Sequence, residues 1–447
     1  MRRHGLTTKS DRAVPVAIVG GGASGTILAA QLARRAIKSV LIEGSGRMGR
    51  GVAYSTTQPA HLLNVRAEGM SAIAGEPAHF ADWFSDRGGD SQGFAQRRLF
   101  ADYLGEILEE AVSSGQTELV HATATRASHN DRWLISLSDG STVEAIALVL
   151  AIGNQEPARL SAFSKTGPRY IANPWGRSAN VAIEDLAETG GAALLVGTGL
   201  TMVDLVLSLE AAGHDGPIVA VSRRGQIPRS HADFEPVAVD ADAVPAGDVR
   251  SLARWLRRRS GQVGWRAAVD SLRPHSHQLW QSLSNEQQRR FLRHGRPWWD
   301  VHRHRIAPEV AQMIAQQIAG GFLTVAAGRI VSAETRNDGV DVTIRRRGSE
   351  REETRRFAYV FNCTGPLQAI DRTKDPLLRG LLDDGAVQPD DLGMGVLVDG
   401  HSRAEGAERL WALGPLTKGR YWEIIAVPDI REQAAEVAED IAKELAQ

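Results

Sequence analysis

The residues Val14-Pro15-Val16-Ala17-Ile18-Val19 run directly into Gly20-Gly21-Gly22-Ala23-Ser24-Gly25, and a helical pattern continues over 26–36. A strand, a G-x-G-x-x-G turn and a helix in that order open a dinucleotide-binding βαβ unit. Each glycine has a task. Gly20 permits the turn, Gly22 lets the backbone approach a pyrophosphate, and Gly25 lets the helix pack closely on the strand. The N–H groups that start the helix, at Ala23 and Ser24, then face the phosphates. Ser39-Val40-Leu41-Ile42-Glu43 reads as the second strand. A carboxylate at its end, Glu43, can accept both hydroxyls of an adenosine ribose.

The plan repeats. Ala192 to Val196 is a second apolar strand, continued by Gly197-Thr198-Gly199-Leu200-Thr201-Met202, a helical pattern over 203–212 and a strand over 217–221. After each nucleotide turn come short alternating segments and a strand closing on glycine. In the first copy these are 117–124, 132–137 and 142–152, with a hairpin signal at Asp139-Gly140 and a close at Gly153. In the second they are 322–331, 340–345 and 357–362, closing at Cys363-Thr364-Gly365. A repeat on this scale sets the architecture. In the first copy, directly after Glu43, 44–93 reads as a long irregular stretch, functional or disordered, whose apolar residues argue against disorder. Residues 94–113 read as a helix. A final strand over 409–414 precedes a helix beginning at Pro428 and running to 445, with proline at its start. Residues 1–12 read as a loose tail.

At 447 residues the chain has room for two or three domains. A net charge of −1 implies no general attraction to nucleic acid or an acidic membrane surface. The one cysteine, Cys363, excludes an intrachain disulfide and a Cys-x-x-Cys redox centre. No apolar run approaches a membrane span and none reads as a secretory signal, so the expectation is a cytoplasmic protein.

The two turns differ in the residues that end their second strands. Glu43 would repel a 2′-phosphate. Ser222-Arg223-Arg224 would attract one, since guanidinium forks suit phosphate. The first site therefore suits an unphosphorylated adenosine and the second NADPH. Two such sites in one chain mean electron transfer through a bound flavin.

In its order of parts the chain resembles the two-dinucleotide-binding-domain flavoproteins, among them the pyridine-nucleotide disulfide reductases and the NADPH-dependent flavin monooxygenases. It is most similar to an uncharacterised FAD/NAD(P)-binding family. That likeness is carried by Gly51-Val52-Ala53-Tyr54, His61-Leu62-Leu63-Asn64-Val65, Gly197-Thr198-Gly199-Leu200-Thr201-Met202-Val203-Asp204, Trp298-Trp299-Asp300-Val301-His302-Arg303-His304-Arg305 and Ala426-Val427-Pro428-Asp429-Ile430-Arg431. The resemblance implies an α/β fold of two Rossmann-like, three-layer ββα domains, the second with a mainly helical insertion. It implies an FAD-binding domain from 1–160 and 366–447, and an NAD(P)-binding domain over 161–365 with the insertion at about 224–320. It places Gly20, Gly22, Ala23, Ser24, Gly25 and Glu43 at the FAD diphosphate and ribose, and Gly51, Val52, Leu63 and Asn64 beside the isoalloxazine. Arg97 would reach the FAD phosphates, Gly153 and Gly365 would mark the crossings between domains, and Gly414 would precede the ribityl chain. The helix from Pro428 would point its N–H groups at the flavin. Gly197, Gly199, Leu200, Thr201, Arg223 and Arg224 would hold NADPH.

The departures narrow the reading. The dithiol of the disulfide reductases is missing. Gly414-Pro415 replaces the usual Gly-Asp, and the 170–176 region lacks the Baeyer–Villiger fingerprint. Met202 stands where the second turn usually has a small residue. Between Arg223 and Arg305 lie sixteen arginines, eight acids and no lysine, read either as a solvated basic surface or in part as an anion site. His275-x-His277, His302-x-His304 and His294 do not make a metal centre on spacing alone. His302 and Arg305 are the candidate catalytic residues, in a polar network at the domain cleft. Trp280, Trp298 and Trp299 are pocket wall or core. The expected function is an FAD enzyme reduced by NADPH, leading through a peroxyflavin to oxygenation of a small molecule. A reductase with another electron acceptor, and a flavin-bound partner protein with structural nucleotide sites, are the alternatives.

Overall fold

The computed structural model describes residues 12–446; the expected tail, apart from Arg12, lies outside them. Two seven-stranded sheets carry the fold. The first contains β1 (Arg12–Val19), β2 (Ser39–Ile42), β3 (Thr117–Val120), β4 (Ala124–His129), β5 (Trp133–Leu137) and β6 (Thr142–Leu150). The second contains β7 (Tyr170–Ile171), β8 (Ala193–Val196), β9 (Ile218–Ser222), β10 (Leu323–Thr335), β11 (Val340–Arg346), β12 (Glu352–Phe357) and β13 (Tyr359–Asn362). A late strand, β14 (Leu410–Ala412), returns to pair in parallel with β6 and completes the first sheet.

Each sheet is a parallel layer joined to an antiparallel meander. In the first, β3, β2, β1, β6 and β14 run parallel, while the near half of β6 pairs antiparallel with β5, and β5 with β4. In the second, β10 is long enough to serve both layers. Leu323 to Ala327 pairs with β9 in parallel, and Gly328 to Thr335 pairs antiparallel with β11. Strands of the parallel layers are buried on both faces, as sheets covered by helices require: Val16, Ala17 and Ile18 in one, Leu194 and Leu195 in the other, are fully buried.

The repeat extends to single hydrogen bonds. Gly20 N–H donates to Ile42 O at 2.9 Å and Gly197 N–H to Val221 O at 2.8 Å. Both glycines have positive φ, 106° and 120°. A Cβ on Gly20 would lie 2.4 Å from Ala151 O, and one on Gly197 2.2 Å from Cys363 O. The copies differ at the third position. A Cβ on Gly25 would lie 1.9 Å from Gly20 O, so the helix Ala23–Ala33 sits directly on its turn. Met202 puts a fully buried side chain at the same step of the helix Leu200–Ala211.

Three expectations are corrected. The helix expected over 94–113 begins only at Arg97, because 94–96 are held extended against 61–63: Leu63 N–H donates to Ala95 O at 2.8 Å and Arg97 N–H to His61 O at 2.9 Å. The stretch 44–93 contains two short helices, Gly51–Tyr54 and His79–Ser85, the second carrying Phe80 into an aromatic cluster with Phe100 and Tyr103. The insertion is narrower than 224–320. Its neck closes where Ile306 N–H donates to Arg229 O at 3.0 Å and His231 N–H to Ile306 O at 2.9 Å. The helix Pro308–Ala319 beyond it packs on the second sheet, sharing a core with the helix Leu200–Ala211.

Candidate functional site: two nucleotide cradles joined by a helical insertion

At the first turn, remote small residues converge. A Cβ on Gly22 would come within 3.3 Å of Gly51 Cα, and one on Gly414 within 2.7 Å of Ser24 Oγ. Gly49 N–H donates to Gly21 O at 2.8 Å, fixing the 47–54 segment over the turn. Glu43 turns back on the same loop: its Oε2 accepts from Gly21 N–H at 3.0 Å and its Oε1 from Ser45 N–H at 2.7 Å. Each carboxylate oxygen keeps a lone pair for a ribose hydroxyl. The first N–H groups of the helix Ala23–Ala33, at Ala23, Ser24 and Gly25, have no intrahelical partner and favour an anion. The helix Val427–Leu445, with Pro428 in its first turn, is tied to this place, since Gly414 N–H donates to Gln433 Oε1 at 2.8 Å. These residues fit an FAD diphosphate and ribose. Val52 is exposed on the 51–54 helix, whereas Leu63 is part of the core and Asn64 gives its carbonyl to His231 Nε2 at 2.9 Å.

Arg97 is not free for a phosphate. Its guanidinium forms a two-pronged pair with Asp204, 2.9 Å and 3.0 Å, and its Nε–H donates to Leu62 O at 3.0 Å. Both side chains are largely buried. Asp204 lies on the helix Leu200–Ala211, so the pair joins the two nucleotide-binding units. His61 reinforces it, Nε2 lying 2.9 Å from Asp204 O and Nδ1 2.8 Å from Thr56 Oγ1. Burial pushes the His61 ring below its usual pKa despite the nearby carboxylate. His231, which packs on Phe94, is pushed down to about 4, chiefly by burial.

Gly153 and Gly365 mark two crossings that run side by side. Both have positive φ, 68° and 85°, and Gln155 links the strands by accepting from Leu367 N–H at 3.2 Å and Thr373 Oγ1 at 2.6 Å.

At the second turn, Gly199 precedes the helix on which Leu200 and Thr201 are the first residues. Thr198 Oγ1 lies 2.8 Å from Ser222 Oγ, which also accepts from Gly225 N–H at 2.9 Å. The serine is thus part of the turn, and the arginines are what it presents. Arg223 is exposed; Arg224 is half-buried with its guanidinium 5.8 Å from the ring centre of Trp298.

Trp298 belongs to the helix Arg296–Arg303, which bridges the two cradles. On its other side Trp299 Nε1–H and Arg303 Nε–H both donate to Glu423, the latter at 2.9 Å, and His304 lies 3.6 Å away. Glu423 is buried and has φ 73°, rare for a residue with a side chain, in the segment leading to the helix Val427–Leu445. Arg296 Nη1–H donates to Gln368 at 2.9 Å, beside the second crossing. Trp280 stacks on Trp422 at 4.8 Å and donates to Gly419 O at 2.8 Å. Around this contact burial raises Asp300 and Asp429, and it lowers Lys418 to about 8.

The two expected catalytic residues both take part in the packing of the insertion. Arg305 is buried, pairs with Asp270 and packs against Trp265 and Phe234; it is a structural brace of the insertion. His302 leans edge-on against Trp265 and donates Nδ1–H to Trp298 O at 2.7 Å. Trp280 is core, Trp299 an anchor, and Trp298 is 51 % exposed. Among the described residues no group of three or more His, Cys, Asp or Glu side chains is placed to hold a metal ion. Cys363 is buried, and burial pushes its thiol pKa up, away from reactive thiolate. No helix among the described residues is long and apolar enough to cross a membrane.

Sequence reasoning missed Asp204, His231 and Glu423 as site residues. Asp204 ends the run that begins at Gly197, but nothing local names its partner.

The fold and both cradles define an architecture of two Rossmann-like dinucleotide-binding domains. Residues 17–155 match a family model described as FAD-NAD(P)-binding, and no curated protein matches the chain by sequence. Among solved structures, the chain is similar to an ornithine hydroxylase from Pseudomonas aeruginosa in its reduced form, at 15 % identity and a TM-score of 0.67, covering 97 % of this chain and 100 % of that one. It is similar to an L-lysine 6-monooxygenase from Pseudomonas syringae, at 19 % identity and a TM-score of 0.67, covering 96 % and 99 %. A T. acidophilum thioredoxin reductase shares the fold more loosely, at 12 % identity and a TM-score of 0.55, covering 96 % and 99 %.

Proposed function

We propose that this chain is an FAD-dependent oxidoreductase reduced by NADPH, and that it is a monooxygenase acting on a small molecule. The observation that carries the reading is the pair of unlike cradles in one chain, one ended by the carboxylate Glu43 and the other by Arg223 and Arg224. The family match over 17–155 supports FAD in the first. Bound FAD would supply the redox chemistry, taking hydride from NADPH and activating oxygen. In the overall balance, NADPH and a proton are consumed, one oxygen atom enters the substrate and the other leaves as water.

The chain's own part is binding, orientation and exclusion of water. Glu43 and the first helix hold the FAD adenosine and diphosphate. The first turn of the helix Val427–Leu445 presents the positive end of its dipole. The bridge from Trp299 and Arg303 to Glu423 closes the insertion over the segment that leads there. With Cys363 buried and alone, a dithiol relay has no place in the scheme. Solved structures of like fold are named as an L-lysine 6-monooxygenase and an ornithine N-hydroxylase, which supports an amine nitrogen as a target alongside sulfur or a ketone.

The test is stopped-flow mixing of the NADPH-reduced protein with oxygen. A transient absorbance before the oxidised flavin spectrum returns supports oxygenation. Direct return without it favours a reductase or oxidase, and failure of NADPH to reduce the flavin favours a non-catalytic flavin-bound protein.

A further inference from the structure

We propose that Trp298, contributed by the insertion, is the adenine platform of the second nucleotide site and sets its affinity for adenosine nucleotides with or without a 2′-phosphate. This rests on reading that site as the NADPH site. In a dinucleotide-binding unit the adenosine lies at the end of the second strand, where side chains meet its ribose and any 2′-phosphate. Here that strand is β9, and it ends in Ser222-Arg223-Arg224. The Arg224 guanidinium stands 5.8 Å from the centre of the Trp298 ring, so the indole occupies the same place.

Three features make this tryptophan unlike a core residue. It is 51 % exposed, while Trp280, from the same insertion, is buried. Its helix is held by other residues: Trp299 and Arg303 on Glu423, and Arg296 on Gln368. His302 bonds the Trp298 carbonyl and rests on Trp265, which fixes the backbone from which the indole projects. The result is a braced, half-exposed aromatic face next to a guanidinium fork. A nucleobase stacks on such a face, and an adjacent phosphate meets the fork. The arginine-rich insertion thereby gains a specific role, completing a site that the second nucleotide-binding unit only begins.

The probe is adenosine 2′,5′-bisphosphate, which lacks the nicotinamide, with adenosine 5′-monophosphate as its partner. Both are titrated calorimetrically into the FAD-loaded protein. Trp298→Ala should weaken both ligands by a similar factor, about tenfold for loss of one stacking partner. Trp298→Phe should retain most of the affinity. Arg224→Ala should weaken the bisphosphate selectively, and flavin content should stay at the parental level in all three. If Trp298→Ala binds both ligands as the parent does, or loses only the preference for the bisphosphate, Trp298 is not the platform. If the parent binds neither ligand, the NADPH reading fails and takes this inference with it. Should the alanine variant lose flavin or fold poorly, the parent and Trp298→Phe decide the matter. Bisphosphate should quench tryptophan emission in the parent far more than in the phenylalanine variant, and equal quenching would overturn the proposal.

Discussion

At the scale of single residues, the first turn makes the sharpest demands. Gly22 has an extended backbone, so strain does not require glycine there; the nearness of Gly51 does. Gly22→Val would fill the gap between the turn and the 51–54 helix, on the path the diphosphate needs. The purified variant should be colourless at near-normal yield, read by flavin absorbance per protein; full yellow colour would remove the first turn from the FAD site. Cys363 offers the opposite expectation. Its thiol is buried behind Gly197 and kept protonated, so Cys363→Ser should keep NADPH-dependent flavin reduction within about twofold while costing about 1 kcal/mol of stability for a buried hydroxyl. Loss of reduction in a well-folded variant would revive a thiol mechanism.

At the scale of elements, the turns, their strands and the doubled plan were legible because local chemistry dictates them. Gly20 and Gly197 each sit where a Cβ would strike a neighbouring carbonyl, and the apolar runs before them are strands buried on both faces. Other elements gave no local signal. The strand Glu352–Phe357 is exposed along nearly its whole length, so no apolar alternation marks it. Arg97 finds Asp204 across 107 residues, and His61 meets the same residue across 143. Sequence similarity alone therefore sent Arg97 to a phosphate. The pair supplies its own test. Arg97→Ala strands a buried carboxylate and should destabilise the protein by about 3–5 kcal/mol. Asp204→Ala in the same chain should restore part of that loss, because the two changes share one interaction. Urea unfolding measures both. If instead Arg97→Ala leaves the unfolding midpoint unchanged and strips the flavin, the arginine belongs to the FAD site after all.

For the molecule as a whole, two histidines stand where the two nucleotide-binding units meet, His61 on Asp204 O beside the Arg97–Asp204 pair and His231 on Asn64 O. His231 is held near 4 against a usual 6.5, and His61 is also depressed. Between those limits the unfolded chain binds protons that the folded chain refuses, so their contribution is intact above about pH 6.5 and fades as pH falls toward 4. The urea midpoint should drop between pH 7 and pH 5, and His231→Gln should drop less; equal slopes would show that His231 is not the group responsible. The central claim concerns the unlike cradles, and one experiment reaches it directly: anaerobic stopped-flow reduction of the bound flavin, with NADPH and NADH each varied in concentration, in the parent and in Arg223→Ala with Arg224→Ala. Charge-assisted bonds to a 2′-phosphate are worth about 1.5–3 kcal/mol each, roughly tenfold to a hundredfold in affinity. The parent should therefore saturate at far lower NADPH than NADH, and the double variant should lose that preference with FAD content unchanged. A parent without preference for NADPH, or a variant weakened equally toward both nucleotides, would contradict it.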